Sequence, residues 1–340
     1  KGIGPFLHSI FLYGMDIMGD GLKSSSSKAL KSMLEKVTHS AVLGMLTGTL
    51  VTSVIQSSTA TIVLTVGLLS AGILNLRQSI SIVMGANIGT TVTAQIIRLM
   101  DINSSGAAFI EIFKPSTLAP LAVLCGIILL KFVKSQKTKG IGMMLMGFGI
   151  LFTGLMGMTE AVSPLSESQA FTDVLQKFSD VPILGILTGL ITTFIVQSSS
   201  AVIGMVQALS STGAFTFQTV YPLIIGINLG TCITTAIVCS IGTDKDAKRT
   251  GIAHILFNCI GTVLFMAAIP LLHHAGALNF IWGKPMNSGG IANFTTIFNL
   301  VTAVALLPFT NQLVKLTTLI VKDSPDDTED FYPEMRTLDE

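Results

Sequence analysis

Two short runs of uncharged polar residues interrupt the most apolar parts of this chain. The first run is Gln56-Ser57-Ser58-Thr59, and the second is Gln197-Ser198-Ser199-Ser200. Their hydroxyl and carboxamide groups can both donate and accept hydrogen bonds. A helix that starts just after each Gln would direct its free backbone N–H groups at a bound oxyanion such as phosphate. Hydroxyl and carbonyl oxygens at the end of the preceding helix suit a hard cation such as Na⁺.

A second pair of motifs shows that the chain contains two related halves. Gly85-x-Asn87-x-Gly89-Thr90 recurs as Gly226-x-Asn228-x-Gly230-Thr231, at the same offset of 141 residues (226 − 85) that separates the two Gln residues (197 − 56). An ungapped alignment of residues 42–94 with 183–235 gives 19 identities. The Gly-x-Asn-x-Gly sequence predicts a break between two half-helices. For Asn87 and Asn228, capping such a break is an alternative to contact with a ligand.

The scarcity of charge identifies the class of protein. Only 11% of the 340 residues are charged, whereas soluble domains carry about 25%. No Asp, Glu, Lys or Arg occurs in residues 37–76 or 181–243. Because an ionised side chain at the bilayer centre costs about 2.5–3.5 kcal/mol, these gaps predict an all-α polytopic membrane protein. The net charge of +1 gives no indication of a nucleic-acid partner. Asp16 is a misfit in the first apolar segment.

The elements that must position the polar runs are two re-entrant helical hairpins, predicted at about 40–74 and 182–213. The helix before the first tip would measure about 24 Å, which is short of the ~30 Å hydrocarbon core. Each hairpin is followed by a predicted broken transmembrane helix, at about 78–99 and 217–242. The two polar runs would therefore occupy hairpin tips near the middle of the membrane.

These elements divide the chain into a first repeat at 1–137, a second repeat at 138–322 and an acidic solvated tail at 323–340. Under this topology, all clusters of basic residues fall on one side of the membrane. The second hairpin then enters from the side opposite to the first, so the two repeats are inverted. The positive-inside rule places the basic side in the cytoplasm. We therefore expect a multi-pass protein of the cell inner (plasma) membrane.

Duplicated halves with paired interrupted segments are typical of secondary transporters that work by alternating access. The two polar runs hold no fixed cation, and Arg77 and Arg98 lie only at the edges of the neighbouring segments. Neutral donors can bind an anion but do not neutralise it at low dielectric. Co-bound Na⁺ would supply the missing positive charge, which gives a physical reason for coupling the two ions.

At these motifs the chain resembles the sodium–phosphate cotransporter type II family. The two polar runs and the two Gly-x-Asn-x-Gly-Thr motifs carry the resemblance, together with Tyr221-Pro222-Leu223 and Phe257-Asn258. The resemblance covers about residues 3–310 and implies sodium-driven symport of inorganic phosphate, bound between the hairpin tips. The substrate-binding residues that it implies are Gln56, Ser57, Ser58, Thr59, Gln197, Ser198, Ser199, Ser200, Asn87 and Asn228.

The resemblance also implies sodium ions as co-substrate, with no other cofactor. The candidate sodium ligands are Gln56, Thr59, Thr90, Thr91, Gln197, Ser200 and Thr231. Glu111, Asn258 and Asn299 are weaker candidates: Glu111 can instead pair with Lys114, and the two Asn residues can serve capping or packing. The expected partners are inorganic phosphate, Na⁺ and the lipid bilayer, and the oligomeric state is left open.

Two alternatives compete with sodium–phosphate symport. The first, within transport, is export of phosphate or sodium-coupled transport of another oxyanion such as sulfate. The second, more remote, is an intramembrane serine hydrolase in which Ser198 or Ser57 is the nucleophile and His254 the base. The sequence lacks a Gly-x-Ser-x-Gly elbow, and the first half has no counterpart of His254. We therefore expect a transporter and not an enzyme.

Overall fold

The computed structural model describes residues 3–35, 40–70, 72–101, 115–162, 173, 177, 180–240 and 245–322. Within these residues every secondary-structure element of three or more residues is a helix, which confirms the predicted all-α class. The predicted acidic tail at 323–340 lies outside the described residues. In chain order the α-helices are α1 (Ile3–Glu35), α2 (Ala41–Ile55), α3 (Ser58–Ser70), α4 (Leu76–Ile97), α5 (Pro115–Phe132), α6 (Gln136–Val162), α7 (Pro182–Val196), α8 (Ser199–Ser210), α9 (Phe217–Ser240), α10 (Lys245–His274), α11 (Ser288–Leu306) and α12 (Thr310–Ile320).

Five helical stretches of the described chain are long and apolar enough to cross a membrane. They are Leu76–Ile97, Gln136–Met158, Phe217–Ser240, Lys245–His274 and Ser288–Ile320. Their length and composition agree with a polytopic membrane protein. Before these spans, residues 3–35 form one continuous helix.

Short helices form the two predicted hairpins. Helices α2 and α3 have 15 and 13 residues, and α7 and α8 have 15 and 12 residues. At 1.5 Å per residue the longest of them measures about 22 Å, which is less than the ~30 Å needed to cross the hydrocarbon core. We call α2–α3 hairpin 1 and α7–α8 hairpin 2, and only two residues connect the helices of each hairpin.

The prediction of broken helices at about 78–99 and 217–242 is wrong, because α4 and α9 run continuously through both motifs. The glycines of the motifs permit close packing. A Cβ atom added at Gly85 would lie 1.9 Å from the carbonyl oxygen of Met45, and one at Gly226 would lie 2.0 Å from that of Ile186. The carboxamide of Asn87 does not cap a break but donates to the carbonyl of Val83 in the preceding turn, at 2.9 Å.

The first helix of each hairpin packs on the long helix of its own half in the same way. In the first half, Gly48 of α2 meets Ile82 of α4. In the second half, Gly189 of α7 meets Leu223 of α9, at positions shifted by 141 residues (189 − 48 and 223 − 82). Because the contacts are between backbones, the depth of each hairpin tip is fixed against a long helix.

Helix α1 brings the two hairpins together. It packs antiparallel to α6, since Gly14 meets Leu151 while Gly21 meets Met144. Near the middle of α1, Gly19 approaches the carbonyl oxygen of Ile55 at the tip of hairpin 1. Closer to the start of α1, the ring of Phe11 packs against Gly204 of hairpin 2. The stretch of α1 between these contacts therefore faces the space between the two tips.

We expect Gly226→Ala to destabilise the protein, because its methyl group has no space beside the backbone of Ile186. Overpacking of this kind costs about 1–3 kcal/mol, so the melting temperature in detergent should fall. Gly67→Ala is the matched control: an added Cβ there meets no atom of the described residues within 4 Å, and Ala favours the helix. Equal melting temperatures for the two variants would contradict the close helix crossing.

Candidate functional site

Both hairpin tips border one cavity of about 220 Å³. A water molecule takes about 30 Å³ in the liquid, so the cavity has room for several groups of that size. It is lined by Met15, Asp16, Gln56, Ser57, Ser58, Thr59, Thr193, Gln197, Ser198, Ser199, Ser200, Thr231 and Thr234. All eight residues of the two polar runs are thus brought together, although they are far apart in the sequence.

The two tips have the same backbone geometry. Gln56 has φ 60° and Gln197 has φ 57°, and they are the two non-glycine residues with positive φ among those described. This left-handed conformation reverses the chain within two residues. The backbone N–H of each Gln donates to the carbonyl of the residue four positions earlier, Thr52 or Thr193, at 2.7 Å in both cases.

The turn leads directly into a second helix that starts at the cavity. The hydroxyl of Ser57 accepts a hydrogen bond from the N–H of Ala60, and that of Ser198 accepts one from Ala201, both at 3.2 Å. The remaining N–H groups of these first turns carry the positive end of the helix dipole. Both α3 and α8 therefore present anion-binding ends to the same small space.

Threonines of α9 complete the wall of the cavity. The hydroxyl of Thr231 donates to the carbonyl of Asn228 at 2.6 Å, and that of Thr234 donates to Thr231 at 2.8 Å. Each hydroxyl oxygen keeps its capacity to accept a hydrogen bond or to contact a cation. Asp16 is the only ionisable side chain among the described residues that line the cavity.

The Asn residues of the repeated motifs lie outside this lining and join helices to one another. The Asn87 Oδ1 atom is 3.1 Å from His254 Nε2 and 3.3 Å from Asn258 Nδ2. In the second half, Asn299 Nδ2 donates to Asn228 Oδ1 at 3.1 Å. All of these side chains are buried. This arrangement favours packing over direct ligand contact.

Two further sodium candidates also lie away from the cavity lining. The hydroxyl of Thr90 donates to the carbonyl of Ala86 at 3.0 Å, and that of Thr91 to Ile88 at 2.7 Å. Glu111 lies outside the described residues. Within the described chain, no group of three or more His, Cys, Asp or Glu residues could hold a metal ion. The side-chain oxygens of the described residues that line the cavity are uncharged except for those of Asp16.

Sequence reasoning missed four residues of the lining, namely Met15, Asp16, Thr193 and Thr234. A signal existed for the two threonines, because Thr193 and Thr234 are identical to Thr52 and Thr93 in the repeat alignment. The only signal for Asp16 was its unusual position in an apolar segment.

The geometry does not support a serine hydrolase. The Nε2 atom of His254 contacts Asn87, and its Nδ1 atom is buried with no hydrogen-bond partner in the part of the chain that the structure describes. The hydroxyl of Ser198 is instead engaged by a backbone N–H. A base within hydrogen-bond reach of the nucleophile is therefore not formed by this pair.

The fold and the cavity define a polytopic α-helical membrane protein with an uncharged polar site between two helical hairpins. The model of the Na⁺/Pi-cotransporter family matches residues 10–160 and, a second time, residues 157–303. The chain therefore belongs to the Na⁺/Pi-cotransporter family, as the resemblance in its motifs indicated. The two matches also agree with the duplication seen in the sequence.

Three relatives illustrate the range of similarity. The protein YqeW of Bacillus subtilis is 30% identical over 92% of this chain and 95% of its own length. YjbB of Escherichia coli K12, whose name provisionally assigns it to inorganic phosphate export, is 24% identical over 94% of this chain. Sodium-dependent phosphate transport protein 2A of the rat is 23% identical over 52% of this chain. The chain spans 55% of YjbB and 28% of the rat protein. No solved structure matches the chain.

The left-handed turn at Gln197 predicts how substitutions there affect stability. Gly adopts φ near 57° without steric cost, so Gln197→Gly should leave the melting temperature unchanged or raise it. Gln197→Val should lower the free energy of unfolding by about 1–2 kcal/mol, because a β-branched residue is strained in this region. Ile195→Val, two residues earlier in helix α7, is the control for the effect of introducing Val near this turn at a position with ordinary helical backbone. A Val variant as stable as the Gly variant would contradict the turn.

Proposed function

We propose that this protein is a secondary active transporter that moves inorganic phosphate together with sodium by alternating access. The observation that carries the proposal is the cavity that both hairpin tips line with hydroxyl, carboxamide and backbone N–H groups. The names of the relatives, one for sodium-dependent phosphate transport and one for phosphate export, support phosphate as the substrate. Phosphate and sodium bind in this cavity.

The anion part of the site rests on the helix ends. Helices α3 and α8 begin at the cavity with free N–H groups, and hydroxyls of both polar runs add donors beside them. Phosphate is rich in acceptor oxygens, so many weak neutral donors can share its charge. The residues in this role are Gln56, Ser57, Ser58, Thr59, Gln197, Ser198, Ser199 and Ser200.

The cation part of the site rests on charge balance. Among the described lining residues no Lys or Arg is present, whereas Asp16 contributes a carboxylate. Two like charges 4 Å apart repel by about 4 kcal/mol at an effective dielectric constant of 20. Phosphate in this cavity therefore needs a cation beside it, and Na⁺ suits the oxygen-rich lining. Cavity oxygens of Thr59, Ser200 and Thr231 are the leading sodium candidates.

Alternating access requires two related halves that can each open the site to one side of the membrane. The packing of α1 and α6 supports inverted repeats as these halves. Helices α1 and α6 each precede a hairpin, and they pack antiparallel to one another. Equivalent helices of inverted repeats run in opposite directions. We divide the chain into repeats at 1–137 and 138–322, in the inner (plasma) membrane with the basic side in the cytoplasm.

Net export of phosphate is the second candidate, and the name of YjbB favours it. The same cavity serves either direction, because the ion gradients and not the binding groups set the direction of net flux. Measurement of uptake and efflux from the same vesicles distinguishes the two.

Phosphate uptake into proteoliposomes should depend on an inward sodium gradient. We expect replacement of external Na⁺ by K⁺ or choline to reduce the initial rate of radiolabelled phosphate uptake at least tenfold, because the anion site is incomplete without the cation. Efflux from preloaded vesicles is measured in parallel. Uptake that is equal in all three salts would end the symport proposal, and efflux that ignores sodium would favour a separate export mechanism.

Asp16→Asn should weaken sodium binding, because Asp16 supplies the one carboxylate among the described residues that line the cavity. We expect the sodium concentration for half-maximal uptake to rise by about 5- to 20-fold, equivalent to about 1–2 kcal/mol. Asp20→Asn is the matched control, since Asp20 lies one turn away and borders an adjoining crevice but is not among the described residues that line the cavity. Equal and small effects for both variants would show that Asp16 has no part in cation binding.

A further inference from the structure

The two hairpin tips share one backbone geometry but differ in how their side chains are bonded. In hairpin 1 the hydroxyl of Thr52 donates to that of Thr61 at 2.9 Å, which ties the two short helices together. The carboxamide of Gln56 is held on both sides: its oxygen accepts from Thr93 at 2.7 Å and its nitrogen donates to the carbonyl of Ser53. The polar groups of hairpin 1 are therefore engaged within its own half of the chain.

Among the described residues hairpin 2 shows no counterparts of these bonds, and two of the corresponding positions carry different residues. Val202 stands where hairpin 1 has Thr61, and Phe194 stands where it has Ser53. The hydroxyl of Thr234, which corresponds to Thr93, donates to its own helix. Gln197 is exposed to the cavity, unlike the buried Gln56.

Thr193 is the residue most affected by these differences. Its side chain is 1% exposed, and its hydroxyl oxygen has no hydrogen-bond partner among the described residues. A buried hydroxyl without a partner costs about 1–3 kcal/mol, and a bound water or ion is one of the ways in which proteins satisfy such a group. Thr193 borders the cavity, so a ligand bound there can supply the partner.

The position of Thr193 in helix α7 selects the kind of ligand. It lies in the last turn, where its own carbonyl accepts the N–H of Gln197. This helix end carries the negative end of the dipole and therefore attracts cations. Backbone carbonyls and the C-terminal ends of half-helices coordinate Na⁺ in transporters, and a threonine hydroxyl at such an end adds a further oxygen ligand. An anion would instead prefer the N-terminal turn of α8, on the other side of the two-residue connection.

We propose that Thr193 is a sodium ligand and that hairpin 2 alone supplies this contact. This inference rests on the proposed sodium-coupled transport. It adds one sodium ligand to that proposal and a difference in role between the two hairpins. In hairpin 1 the polar side chains are already hydrogen-bonded within the protein. In hairpin 2 the hydroxyl of Thr193 gains a partner only when the cation is present. Sodium therefore orders hairpin 2 and prepares the adjacent end of α8 for phosphate.

The test measures sodium-dependent phosphate uptake in proteoliposomes for three nearly isosteric variants. Thr193→Val removes the hydroxyl, and we expect the half-maximal sodium concentration to rise about tenfold. The Michaelis constant for phosphate at saturating sodium should stay within about twofold of the parent value, because the proposed phosphate-binding groups at the N-terminal turn of α8 are unchanged. A twofold difference is small in free energy. Sodium should also raise the melting temperature of the parent protein in detergent more than choline does, and Thr193→Val should lose most of this difference.

Val202→Thr is the second variant, and it reproduces in hairpin 2 the position that Thr61 occupies in hairpin 1. Its new hydroxyl should engage Thr193 as Thr61 engages Thr52. We expect a stable protein in which the half-maximal sodium concentration is again raised. This variant keeps the proposal testable if Thr193→Val fails to fold.

Thr52→Val is the matched control, because it breaks the equivalent bond in hairpin 1. It should lower the melting temperature but leave the half-maximal sodium concentration unchanged. Unchanged sodium dependence in Thr193→Val and Val202→Thr would overturn the proposal while leaving symport intact. A raised Michaelis constant for phosphate alone would overturn the sodium assignment. A parent protein whose uptake ignores sodium would instead refute the proposed function.

Discussion

The whole site depends on a chain reversal that takes only two residues. Gln56 and Gln197 adopt left-handed backbone conformations, so one short helix ends and the next begins at the same point. The carbonyl end of the first helix and the N–H end of the second then lie side by side. Such unpaired backbone groups are tolerated inside a membrane only where protein or a wet cavity satisfies them. The reversal thus creates both the need for a polar cavity and its binding groups.

Close packing of backbones decides where these reversals meet. Gly85 and Gly226 let the long helices approach the short ones until backbone atoms touch. The sequence predicted the hairpins well, because a polar run in a short apolar stretch limits the possible topologies. It did not predict what the glycines do. A helix break and a helix crossing favour the same residue, and the difference lies in the neighbouring helix, which local sequence does not specify.

The site could be predicted only as far as its residues repeat. The polar runs are conspicuous because two copies occur at one spacing, and both copies reach the cavity. Asp16 and Met15 have no such signal, because helix α1 reaches the tips only through its packing on Ile55 and Gly204. The motif asparagines show the opposite case. They repeat as clearly as the polar runs, yet Asn87 and Asn228 form hydrogen bonds to other helices. A repeated residue can therefore indicate a shared packing role as well as a shared binding role.

The proposed binding of two unlike ions in one cavity requires that the two related halves of the cavity differ. Identical hairpins would offer each ion the same groups twice, with no reason for a cation and an anion to take separate places. Here the backbones are alike, but Thr61 and Ser53 of hairpin 1 are Val202 and Phe194 in hairpin 2. The exchange of Thr61 for Val202 preserves the turn, but it removes the partner that Thr52 has in hairpin 1 and leaves the hydroxyl of Thr193 unbonded among the described residues. A duplicated fold can in this way keep its packing and still divide two binding roles between its halves.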